Sequence, residues 1–148
     1  MADPTTLVTD IAQHLQDMIE ENKDNLRVKA VYYGDQDKIA FTPTVCVESG
    51  GKTRELNGAP RRTMVNMENY ILVYVGAVMS SQTNRLDDDT VAEAIEALVH
   101  TDAQMEGRVI DSMVTAVEFG YLQRNNSLFR TARLTVTARQ QEQLPSSF

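Results

Sequence analysis

Cysteine occurs once in the 148 residues, at Cys46. That excludes an internal disulfide framework and makes Cys46, within the strand-like run from Thr44 to Val47, a small buried hydrophobe rather than a nucleophile. No apolar run approaches the ~20 residues of a membrane-spanning helix. The opening Met1-Ala2-Asp3-Pro4 starts acidic and lacks the pattern of a signal peptide. The expected compartment is the cytoplasm. Basic charge is also in short supply: 14 Lys and Arg face 21 Asp and Glu, for a formal charge of −7. Phosphate neutralisation needs a basic surface or stripe, so binding of nucleic acid by that route is excluded. The basic residues are scattered and carry no interleaved aromatics for base stacking.

What is present describes an ordinary folded domain, with 42% apolar and 24% charged residues. A chain of this length fits one domain, expected to span residues 1–148. One stretch invites a sharper reading. Val45-Cys46-Val47-Glu48-Ser49-Gly50-Gly51-Lys52-Thr53 ends like a phosphate-binding loop. The motif requires Gly where Cys46 stands, Glu48 would repel a phosphate, and Gly58-Ala59-Pro60 arrive before a helix could form. The segment instead predicts a β-hairpin turning at Ser49-Gly50-Gly51.

The remaining pattern is read as follows. Asp3-Pro4 caps a first helix with Leu7, Val8, Ile11, Leu15, Met18 and Ile19 on its apolar face. It fades near Asn22 to Asn25. Leu26, Val28, Ala30 and Tyr32 then alternate as a half-buried strand, Gly34-Asp35 marks a turn, and Ile39 to Phe41 is strand-like before Pro43. Leu56 to Thr63 is a loop, and Met64 to Met79 reads as a central strand covered on both faces. A second helix begins near Leu86 with a stripe of Val91, Ala94, Ile95, Leu98 and Val99. Strands near Gly107 to Tyr121 and Leu128 to Arg139 flank a turn at Gln123 to Ser127. Residues 140–148 are expected to fray. The fold class is α+β, a mainly antiparallel sheet with two helices packed on one face in helix, strands, helix, strands order.

No catalytic, metal or cofactor site is expected. Asp87-Asp88-Asp89 lack the alternate spacing of a calcium loop; they suit the positive end of a helix, with Thr90 to Glu93 spaced as a capping box. His14 and His100 fall on separate helices without a metal-ligand set, and no nucleophile elbow surrounds any serine. Arg61 and Arg62 differ, because a proline-stiffened loop holds two planar five-donor groups suited to carboxylates on a partner. With Arg54 and Arg85 they are the candidate interface residues.

The amphipathic first helix, "KIAFTPTVCVESGGKTRELNGAPRRT", "NYILVYVGAVM", the second helix and "FRTARLTVTARQ" together resemble the tail terminator (tail-completion) proteins of long-tailed bacteriophages. The resemblance covers most of the chain and implies a non-enzymatic virion protein of the tail and neck, assembled in the host cytoplasm. It implies a self-assembled ring, six-fold in expectation, between the tail tube protein and a head-completion or neck protein, with DNA passing through the lumen and no membrane partner. Three readings stay open beside it: a head-closure or other neck adaptor, a metal-dependent hydrolase using Asp87 to Asp89, and a monomeric cytoplasmic binding module.

Overall fold

The computed structural model describes residues 7–56, 62–78 and 85–143. Its elements run α1 (Val8–Glu21), α2 (Lys23–Leu26), β1 (Ala30–Tyr33), β2 (Thr44–Leu56), β3 (Arg62–Ala77), α3 (Arg85–His100), β4 (Asp111–Arg124) and β5 (Ser127–Gln143). The five strands form one sheet in the order β1-β2-β3-β5-β4. Every pairing is antiparallel except β1 with β2, which is parallel. The class is therefore α+β, with a mixed sheet and three helices.

Helix α1 places Ile11, Ala12, Leu15 and Ile19 at helical spacing, and all four are fully buried. Burying each of the larger side chains contributes roughly 1.5–3 kcal/mol, which holds this helix against the sheet. Its start is Leu7, whose N–H donates to the Asp10 carboxylate at 2.9 Å. The cap expected at Asp3-Pro4 lies outside the described residues. The alternation expected from Leu26 is interrupted: α2 adds a turn that ends at Arg27 in the left-handed region (φ 63°), and strand pairing begins only at Ala30. Ile39 to Phe41 forms no strand. Residues 34–43 instead connect two parallel neighbours, ending in a cis Thr42–Pro43 bond.

The hairpin expected at Ser49-Gly50-Gly51 does not exist. β2 runs straight through it, and the pair Gly50-Gly51 is a β-bulge, two residues standing opposite Glu68 alone between the Ser49↔Asn69 and Lys52↔Met67 pairs. Local composition cannot separate the two outcomes, since both need small residues at the irregularity. Packing explains why Gly occupies the first position: a Cβ on Gly50 would lie 2.8 Å from the Glu68 carbonyl oxygen and 2.8 Å from the Tyr70 ring. The chain reverses later, between Leu56 and Arg62. A strand that continues into a reversal has no phosphate-cradling helix after it.

β3 is the central strand, as its composition predicts, and pairs with β2 and β5 on its two sides. Along it Val65, Met67, Ile71, Val73 and Val75 join the helix-side core with Val45 and Val47 of β2 and Leu134 and Val136 of β5. The opposite face holds a smaller cluster, Cys46, Tyr74 and Phe129, against which Ile39 of the 34–43 connection packs. Among the described residues, β3 is thus covered on both faces near Tyr74.

Helix α3 starts at Arg85, which places Thr90 inside the helix and overturns the capping box expected there. Among its described side chains Ala92, Ile95 and Val99 are buried, whereas Ala94 of the expected stripe is exposed. The last hairpin turns at Asn125-Asn126, both at positive φ (51° and 67°), the residue type and geometry of a two-residue type I′ turn. β5 then runs on to Gln143, pairing Arg62 with Gln143, so residues 140–143 are strand and not a frayed tail. Residues 144–148 lie outside the described residues.

Candidate functional site

Sheet order leaves two strands with a neighbour on one side only, β1 and β4. An unpaired strand edge is a row of N–H and C=O groups that must meet water or a partner. The first part of β4 is met from within the chain: the Val114 N–H donates to His100 Nε2 at 3.0 Å, and the Ser112 hydroxyl donates to the Ala103 carbonyl at 2.7 Å. Beyond Val114 the edge is open among the described residues. The two-residue turn makes Arg124 and Ser127 a hydrogen-bonded pair, and counting back in steps of two turns the backbone groups of Val117, Phe119, Tyr121 and Gln123 away from the sheet. On β1 the Gly34 N–H donates to the Val47 carbonyl at 2.8 Å, in register with the Tyr33↔Val47 pair, so alternation in the parallel ladder turns Ala30 and Tyr32 toward β2 and Val31 and Tyr33 outward.

Exposed aromatics follow the same two edges. Tyr32, Tyr33, Phe41, Phe119 and Tyr121 are the exposed aromatic side chains among the described residues, and all but Phe41 stand on β1 or β4. Phe119 and Tyr121 both carry the Arg130 guanidinium over their rings, at 5.1 and 5.2 Å. A cation held between two faces fixes an amphipathic surface at little entropic cost, the chemistry favoured where proteins meet. The sequence reading placed Tyr121 at a strand end and assigned Phe119 and Arg130 no role; their spacing across the Asn125-Asn126 turn is the signal that pairs them.

Of the arginines expected at an interface, Arg54 and Arg62 fall toward one end of β3, and Arg85 follows its other end. Arg54 is exposed on β2 opposite Val65, and Arg62 opens β3 opposite Gln143. Arg61 lies outside the described residues. Arg85 begins α3, which the chain reaches only after leaving the other end of β3.

Two polar clusters were not anticipated. Asp35 accepts from the Tyr74 hydroxyl at 2.6 Å and from the Gln36 N–H at 2.8 Å, and also pairs with Arg124. Burial alone would raise the Asp35 carboxyl, but the bonds from Tyr74 and Arg124 outweigh it and hold the group below its usual range. Burial and the same carboxylate push the Tyr74 phenol well up, and burial with nearby Asp35 pushes the Cys46 thiol up to about 12. A thiol so raised is inert at neutral pH, in keeping with the packing role read for Cys46. The network clamps the 34–43 connection onto the sheet.

The second cluster gives the half-buried His14 of α1 a carboxylate neighbour. Its Nε2 stands 2.9 Å from Asp102 Oδ2, at the wall of a cleft of about 280 Å³ that Asp17, Glu21, Glu106 and Arg108 also line. The pair ties α1 to the turns after α3. Among the described residues no group of three metal-ligating side chains converges, and no helix is long and apolar enough to span a membrane. Comparison with protein-family models and with curated proteins finds no match to this chain.

Proposed function

We propose that this chain is a structural virion protein that assembles into a ring, six-fold in expectation, capping a phage tail tube and joining it to the head-side neck. The observation that carries the assembly part is the pair of unlike open edges at opposite ends of one sheet, each bearing exposed aromatics. Two different surfaces on one subunit are what a closed heterologous ring requires. The tail assignment adds the likeness of the chain's segments to tail terminators. The net charge of −7 suits a lumen through which DNA slides without sticking.

Electron microscopy of the purified protein mixed with uncapped tail tubes tests the reading. The expected image is an annulus with a central hole seated at one tube end. Rings that never seat on tubes would remove the tail assignment, and particles without a hole would remove the ring.

A further inference from the structure

Resting on the ring reading, we infer that subunits join by strand addition, the open part of β4 on one copy pairing with β1 of the next. Strand direction permits it. β2 runs parallel to β1, β3 opposes β2, β5 opposes β3 and β4 opposes β5, so β4 is antiparallel to β1. A second copy that continues the sheet therefore presents its β1 antiparallel to β4, the direction of every other junction except β1 with β2.

The side chains agree. Tyr33 pairs with Val47, and Phe119 with Ala132 opposite Val73, which puts Tyr33, Phe119 and Tyr121 on the helix side of the sheet. Joining the edges brings these exposed rings together on one face, where cross-strand aromatic pairs are stabilising. Pairing of β4 with β4 across a two-fold axis would cover Phe119 and Tyr121 but leave Tyr32 and Tyr33 bare. Covering both edges at once favours the head-to-tail join with a second copy.

The residues that turn outward supply the test. Proline at Tyr33 or at Phe119 deletes an N–H that turns away from the subunit's own sheet, so the fold tolerates it while strand addition does not. The parent, Tyr33→Pro, Phe119→Pro and an equimolar mixture of the two variants are compared by native mass and thermal melting. Each variant alone is expected to melt like the parent and to associate about tenfold or more weakly. The mixture is the decisive arm, because Tyr33→Pro keeps a good β4 and Phe119→Pro a good β1: one sound junction forms and growth stops at a two-chain species. If either proline variant fails to melt cooperatively, Tyr33→Lys and Phe119→Lys replace it with the same expectation, since edge lysines block strand addition.

Rings formed by both variants would overturn the strand junction while leaving the ring reading in place. A Tyr33→Pro protein that dimerises as the parent does would overturn it in favour of β4 pairing with itself. A monomeric parent would overturn both. Broken assembly in a protein that never caps tail tubes would uphold the junction and remove only the tail assignment.

Discussion

The free half of β2, from Gly50 to Leu56, and the free half of β4, from Val117 to Gln123, are both strand edges, yet their chemistry is opposite. β2 is interrupted by the Gly50-Gly51 bulge and followed by Lys52, Arg54 and Glu55, all exposed. A bulge and charges are the means by which soluble proteins prevent strands from adding to an edge. β4 has no bulge over "VEFGYLQ" and only one charge there, Glu118, beside the exposed Phe119 and Tyr121. The same sheet thus guards one edge and leaves another open, which marks the open one as a place for a partner.

The largest effect comes from breaking the core on which both edges depend. Val73 is fully buried in the central strand, and Val73→Asp is expected to cost several kcal/mol against a typical stability of about 5–15 kcal/mol. Circular dichroism should find the variant unfolded; a soluble variant with a cooperative melt would contradict the place of β3 in the core. Next comes the guarded edge. Gly50→Val puts a Cβ against the Glu68 carbonyl and the Tyr70 ring, which is expected to cost about 1–3 kcal/mol in chemical denaturation. An unchanged midpoint would show that the bulge needs no glycine.

A smaller effect lies at the Asp35 clamp. Its carboxyl is held below the unfolded value of about 3.9, so its stabilisation is present above that pH and is lost as pH falls through the lower folded value. Asp35→Asn is expected to cost about 1 kcal/mol at neutral pH and to flatten the acid side of a melting-temperature profile below about pH 4. A profile identical to the parent's would mean that the clamp adds nothing. Asp111 is held low in the same way by Arg139, at 2.8 and 2.7 Å, but that pair is exposed and contributes little.

The smallest effect on the fold is expected from the candidate arginine loop. Arg61→Glu with Arg62→Glu is expected to leave the melting temperature within a degree or two of the parent's. If the loop meets carboxylates of a neighbouring copy, native mass will record weakened assembly. Unchanged assembly would return both arginines to solvent and leave the sheet edges as the junction.

Elements whose signal is internal were legible in the sequence. The periodicity of α1, the Val, Ile and Tyr content of β3, and the Asn125-Asn126 turn each report a local preference that the tertiary structure keeps. What was not legible depends on a distant partner. Ser49-Gly50-Gly51 has the composition of a turn, and only Glu68 and Tyr70 across the ladder make it a bulge. Asp35, Tyr74 and Arg124 are far apart in sequence and meet because the 34–43 connection crosses the sheet. The open edge of β4 is likewise a property of strand order, since nothing in "VEFGYLQ" says which strand will stand last.

The central claim is that the subunit closes on copies of itself through unlike surfaces. Native mass of the parent protein over a range of micromolar concentrations tests it most directly. A single closed species of fixed subunit number, six in expectation, in equilibrium with free subunits is the predicted result. A mass of one chain at every concentration would contradict the account.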